Sequence, residues 1–250
     1  METIKPNQDK STGSLSTVNN LLQSQGSVVL KGIYSTGELK EISQRLEHHK
    51  SFQSSSTNEV YAIRQLFKEL PMLKKLLIND RLKEILNQFG IGYFLSKAIF
   101  FDKPPLSNWY VTWHQDLPIN VKEKIAVKGF SSWTKKGNTI STRPPENILH
   151  HTITIRVHLD DTNQENGGLK VIPGSHLSIL TDSEKQELAK NKEALNCDVK
   201  AGGVHIMKPL TLHASSKSKN QQRRRVIHLE FCNVDLPSEL QWAERISLSQ

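Results

Sequence analysis

Cysteine is scarce: Cys197 and Cys232 are the only two in 250 residues. Two are too few for a disulfide framework and have no metal-like spacing, so a reduced, cytoplasmic compartment is expected. No apolar run is long enough to cross a bilayer, which argues against a membrane-spanning class. The opening METIKPNQDKSTGSLSTVNN is polar and lacks the apolar segment of a secretory leader. Apolar residues make up 36% of the chain, below the globular norm, which predicts long polar loops around a compact centre. Acidic residues are also in deficit, 25 against 33 Lys and Arg, for a net charge of +8. The one dense basic cluster is KSKNQQRRR at 217–225, and no nucleic-acid motif accompanies it. It reads as a solvated or locally used charge run, so no nucleic-acid partner is expected. The charge leaves a small anionic substrate, phosphate-bearing or carboxylate, open without requiring one.

What is present changes texture along a chain read as one domain over 1–250. Residues 1–20 are rich in Ser, Thr and Asn and are expected to be flexible. GSVVLKGIYS (26–35) resembles a strand, and Ser35 with Glu38 forms a capping-box pattern opening a helix to about Glu47. Residues 64–89 carry Leu and Ile at helical spacing, interrupted at Pro71 and restarted at Asn79-Asp80. From Gly92 onward the chain turns to short segments rich in β-branched and aromatic residues, bounded by turn residues. A polar stretch over 117–150 is expected to be a loop covering the cavity mouth. A helical insert is expected over 181–194. Helices followed by strands argue for an α+β protein, mainly β at its core, with a sandwich or barrel.

WYVTWHQDLP (109–118) places His114 and Asp116 two residues apart at the end of a strand that Pro118 stops. Alternation puts both side chains on one face, where a stiff sheet could hold a metal. Alone, the pair is more often an ordinary histidine–carboxylate contact. Of the remaining histidines, His213 stands out because it too ends a strand (IMKPLTLH). His48 and His49 read as helix-end residues, His150 and His151 as the start of a strand, His158 as a satisfied polar group, and His176, after a Pro-Gly turn, as serving structure or substrate. Two histidines and one carboxylate with open positions match the facial triad of non-haem Fe(II) oxygenases. A dicarboxylate co-substrate would need a buried cation. The RRR at 223–225 returns beside His213 if 214–221 is a connection between strands. Alternation then puts Arg224, Val226 and His228 on one face, and at least two of the three arginines are expected to be exposed.

WHQD (113–116), HLDDTNQENGGLKVIPGSH (158–176) and LHASSKSKNQQRRRVIHLEF (212–231) together resemble the phytanoyl-CoA dioxygenase family of Fe(II)/2-oxoglutarate-dependent oxygenases. The resemblance runs from about residue 92 to 234. It implies a double-stranded β-helix (jelly-roll) core over 92–234 with the N-terminal helices packed against the sheet. Carried over by position, His114, Asp116 and His213 would ligate Fe(II), and Arg224 would hold the distal carboxylate of 2-oxoglutarate, with Arg225 as fallback. Thr112 and Ser215 would lie beside the co-substrate. Gln115 and Trp133 are candidates for substrate contact, while Arg143 is expected to solvate its own loop. The implied reaction consumes O₂ and 2-oxoglutarate, releases succinate and CO₂, and hydroxylates a small molecule. Asp116 favours hydroxylation over halogenation, because related halogenases lack this carboxylate. The competing class is a non-catalytic jelly roll that binds a metal or ligand, marked by loss of a ligand or of the arginine; neither is lost here. The resemblance leaves substrate identity and oligomeric state open.

Overall fold

TITIRVH (152–158) has an apolar face of Ile153, Ile155 and Val157 and a polar face of Thr154, Arg156 and His158, yet all seven residues are buried. A strand buried on both faces, one apolar and one polar, separates an apolar core from a polar interior. The computed structural model, which describes residues 15–49, 61–103 and 110–248, has this arrangement. This strand, β8 (Thr152–His158), is central in the larger of two facing antiparallel sheets. Its neighbours are β11 (Val204–Met207) and β13 (Arg224–Cys232), followed by β1 (Ser27–Leu30) at one edge. On the other side β13 pairs with β3 (Phe94–Lys103), whose far edge carries β2 (Tyr61–Arg64) and β14 (Ile246–Ser247). The smaller sheet runs β10 (Leu195–Asn196), β9 (Leu169–Val171), β12 (His213–Ser215) and β4 (Val111–His114). Met207 of β11 packs on Leu169 and Val171 of β9, closing the two sheets on each other as a jelly roll.

The outer face of the larger sheet is covered by helices. Ile153, Ile155, Val157, Val204, Ile206, Ile227, Leu229 and Phe231 form one apolar cluster with residues of the N-terminal helices. Fully burying each such side chain contributes about 1.5–3 kcal/mol, so this interface dominates the stability of the fold. The helices are α1 (Leu15–Gln25), α2 (Thr36–Glu47), α3 (Leu66–Glu69), α4 (Leu73–Leu77) and α5 (Asp80–Asn87). Their starts follow the sequence signals. Ser35 and Glu38 form the capping box of α2, Pro71 falls between α3 and α4, and the Asn79 side chain caps α5. Thr181 and Glu184 cap α7 (Asp182–Asn191) in the same way. Among the described residues no helix is long and apolar enough to cross a membrane.

Three expectations are corrected. Of the span 1–20, expected to be flexible, residues 1–14 lie outside the described residues, and from Leu15 the chain is helical. The polar stretch 117–150 is not a loop. It folds into a separate antiparallel sheet of β5 (Ile119–Val121), β7 (Thr139–Arg143) and β6 (Ser131–Lys136), followed by α6 (Glu146–His150). Its sparse apolar residues suffice, because Ile119, Val121, Phe130, Ile148 and Leu149 gather on Leu210, Leu240 and Trp242. His150 and His151 therefore close α6 rather than open β8.

The helical layer is pinned to the sheet at one backbone crossing. The amides of Ile33 and Tyr34 both donate to the Gly202 carbonyl at 2.9 Å. Gly202 has φ +81, and a Cβ there would overlap the Tyr34 carbonyl oxygen, whereas Gly32, at φ +67, faces open space. Gly32→Ala should cost about 1 kcal/mol, the conformational penalty alone. Gly202→Ala should cost about 3 kcal/mol or more, because the crossing must also move. Urea unfolding of the two variants checks this; equal losses would refute the pinning.

Candidate metal centre

The antiparallel register of β12 on β4 sets His213 directly opposite His114. Their ring centroids lie 4.1 Å apart. In each case Nδ1 meets the carbonyl two residues earlier, Thr112 for His114 and Thr211 for His213, both at 2.8 Å. A carbonyl only accepts, so Nδ1 carries the proton and Nε2 presents its lone pair. Asp116 follows β4 with its amide donating to the Pro209 carbonyl at 2.9 Å. Its two carboxylate oxygens stand 3.7 Å from Nε2 of His114 and 3.7 Å from Nε2 of His213. These gaps are too long for direct hydrogen bonds, and the three donor atoms all lie within 4.8 Å of one another. That spacing and donor set suit a divalent transition-metal ion.

Burial alone would raise the Asp116 carboxyl, but His213, His228, His114 and Lys97 outweigh it and hold the group well below its usual range. Burial lowers His213 to about 4 despite Asp116 beside it. At neutral pH the site therefore offers an anionic carboxylate and a neutral imidazole, the protonation states a metal requires.

The residue between the ligands has a different task from the one expected. Gln115 is buried, and its amide nitrogen donates to the carbonyls of Ser178 (2.9 Å) and Leu210 (2.7 Å). Its oxygen accepts from the Leu180 amide at 2.8 Å. With both donors engaged, Gln115 ties the ligand-bearing segment to two neighbouring stretches instead of reaching for substrate. Trp133 is half-buried on the apolar cluster of the β5–β7–β6 sheet, as packing rather than as an exposed binding group. Thr112 is exposed on β4, and Ser215 is buried two residues beyond His213.

The three arginines separate by face. Arg223 pairs bidentately with Asp102, and Arg225 with Asp160. This outward pairing removes Arg225 as the fallback cation. Arg224 points inward, is 4% exposed, and leaves Nε and Nη1 buried without partners among the described residues. Burial, reinforced by Arg156, lowers its guanidinium to about 9. A buried guanidinium with two orphaned donors fits an anionic ligand, since leaving such donors unpaired is costly.

Several inward residues escaped attention in the sequence. Lys97 binds Glu230 at 2.8 Å, Glu230 accepts from His228 Nε2 at 2.9 Å, and Arg156 reaches His228 Nδ1 at 3.3 Å. His205 sits opposite Arg156 across β11 and β8. The signal was in the strands themselves: Thr154, Arg156 and His158 of β8, and Arg224, His228 and Glu230 of β13, fall at alternate positions between mainly apolar residues and mark a polar inner wall.

The family model for phytanoyl-CoA dioxygenase matches residues 22–226, and the chain belongs to that family. No curated protein sequence matches it. Among solved structures, the chain resembles the non-haem alpha-ketoglutarate-dependent carbocyclase SnoK from nogalamycin biosynthesis. The TM-score is 0.67 at 15% identity, covering 88% of this chain and 84% of that one. It also resembles EctD from S. alaskensis with 2-oxoglutarate and 5-hydroxyectoine (TM-score 0.66, 16% identity, 92% and 82% covered). The epimerase SnoN, in complex with Fe³⁺, alpha ketoglutarate and nogalamycin RO, aligns with TM-score 0.66 at 14% identity, over 93% and 94% of the two chains. At these identities the likeness concerns the fold.

Two outcomes follow from this geometry. Gln115→Leu strands two carbonyls and an amide and should destabilise the protein by about 2–4 kcal/mol in urea unfolding; a neutral result would deny the clamp. Burial also lowers His205 to about 3 and His158 well below its ordinary value. As pH falls from 7 to 5 the unfolded chain takes up protons that these folded imidazoles refuse. Stability should therefore fall, by on the order of 2 kcal/mol per imidazole. Glu244, pushed up to about 7 by burial, gains its proton in the folded state and offsets part of the loss. Unfolding of the metal-free protein at pH 7 and 5 gives the sign, and equal stability at both would contradict it.

Proposed function

We propose that the protein is an Fe(II)- and 2-oxoglutarate-dependent dioxygenase that hydroxylates a small-molecule metabolite, releasing succinate and CO₂. One observation carries the reading: Arg224 is a buried guanidinium with two unpartnered donors, on the inner wall of the same jelly roll that holds the His114–Asp116–His213 set. His114 and His213 hold the metal through Nε2, with Nδ1 fixed by backbone carbonyls. Asp116 would be the third ligand and would lower the net charge of the centre. Arg224 grips the distal carboxylate of 2-oxoglutarate in a charge-assisted fork, with Ser215 and Thr112 near the ends of the strands that carry the ligands. When bound, iron and 2-oxoglutarate supply the activation of O₂, which the side chains of this chain do not provide. The chain contributes orientation, a cavity shielded from bulk water and fixed charge.

The carbocyclase and epimerase among the similar structures mark outcomes that this fold also accommodates. The intact Asp116 favours hydroxylation over halogenation. Cys197 and Cys232, both buried and free, suit a reducing cytoplasmic setting.

Anaerobic addition of Fe(II) and 2-oxoglutarate to the wild type should produce a weak visible charge-transfer band. His114→Ala, Asp116→Ala and His213→Ala should abolish or weaken it. Arg224→Met should raise the half-saturating 2-oxoglutarate concentration by about 100-fold, as expected when a charge-assisted fork in a dry site is lost. An unchanged requirement in Arg224→Met would defeat the assignment.

A further inference from the structure

The cavity wall holds a second buried guanidinium that this function does not use. Arg156 lies at the middle of β8, 8% exposed, between His205 on β11 and His228 on β13. Its orientation is imposed from one side. Glu230 accepts from His228 Nε2, which leaves His228 Nδ1 as an acceptor, and Arg156 Nη1 donates to it at 3.3 Å. Lys97 in turn neutralises Glu230 at 2.8 Å. Among the described residues no carboxylate pairs with Arg156. Its Nε is buried without a partner, and so are Nε2 of the neighbouring His205 and Oγ1 of Thr154, the next residue along the same face.

An unpaired guanidinium in a dry wall is costly unless an anion meets it. Within the proposed chemistry the interior carboxylates have other roles, and buried Glu244, one of whose oxygens lacks a partner among the described residues, accepts from the Ala98 amide rather than pairing with Arg156. Asp116 belongs to the metal, Glu230 to Lys97 and His228, and the distal carboxylate of 2-oxoglutarate to Arg224. Through His228, Arg156 shares the inner face of β13 with Arg224, and Asp116 supports the charge of Arg156 against burial. The edge of the guanidinium that does not engage His228, Nε with Nη2, has the planar two-donor geometry that a carboxylate matches.

We propose that Arg156 binds the organic substrate, gripping a carboxylate through its Nε–Nη2 edge with His205 alongside, so that the substrate is a small carboxylic acid. The proposal rests on the oxygenase function above. Arg156 selects for the acid and orients it toward the metal, and the Lys97–Glu230–His228 chain holds the fork in place.

The test begins with wild-type protein loaded anaerobically with Fe(II) and 2-oxoglutarate. Absence of the charge-transfer band defeats the function itself. With the band present, a panel of small carboxylic acids is titrated against their primary amides, reading perturbation of the band and the melting temperature. At least one acid should bind about tenfold or more tightly than its amide. That preference should vanish in Arg156→Gln and survive in part in Arg156→Lys, with half-saturation by 2-oxoglutarate unchanged in both. If no acid is preferred over its amide on the wild type, the proposal fails while the function stands. It also fails if Arg156→Gln loses the 2-oxoglutarate band, since Arg156 would then serve the co-substrate. Should Arg156→Gln not fold, Arg156→Lys and the wild-type comparison still decide.

Discussion

The centre depends on one strand pairing. His213 meets His114 only because β12 lies antiparallel to β4 in a single register, and a slip of one residue would turn an imidazole out of the cavity. The register is reinforced from outside the strand pair. The amide of Asp116 is fixed by Pro209, and Gln115 spans from Leu210 to the 178–180 segment. Ser175 adds a further tie, its hydroxyl accepting from the Leu212 amide at 2.8 Å. Each histidine is then oriented by its own strand, through the carbonyl two residues back. Position comes from the sheet and ring orientation from the backbone, so no further side chain is needed to present the two nitrogens.

The larger sheet gives its two faces opposite chemistry. Outward, Ile and Val meet helices; inward, Arg, His, Lys and Glu line a space between sheets. Such a wall is expensive, because each ion removed from water costs several kcal/mol after relaxation. Some of that cost is offset by the contact of Lys97 with Glu230 and of Glu230 with His228. Among the described residues Arg224 and Arg156 have no such compensation, and the apolar core behind them holds their strands in place. Stability generated on one face of β8 and β13 thus tolerates reactivity on the other.

The helix starts were legible because capping is local: Ser35 with Glu38 and Thr181 with Glu184 are separated by three residues and need no tertiary context. A β core was legible from the run of short strands, the jelly roll from the family resemblance, and the shared face of His114 and Asp116 from their two-residue spacing. Arg224 could be separated from Arg223 and Arg225 by alternation alone. What could not be read was anything set by contacts across the chain. Gln115 looked like a free amide because its partners, Ser178, Leu180 and Leu210, lie 63 to 95 residues away. The β5–β7–β6 sheet looked like a loop because its apolar residues are sparse and gain a core from distant residues such as Leu210, Leu240 and Trp242. Arg156 was passed over because it sits on a strand with no motif of its own.

The helical layer has a consequence for any attempt to shorten the protein. The span 92–234 contains every proposed ligand and so resembles a minimal catalytic unit. Cut there, however, the sheet would present Ile153, Ile155, Val157, Ile227, Leu229 and Phe231 to water as one continuous patch, and β11 would lose β1 and become a bare edge. Both features promote self-association. The N-terminal third is therefore the other half of the sheet's core rather than an appendage, and the enzyme cannot be pared down to its active site.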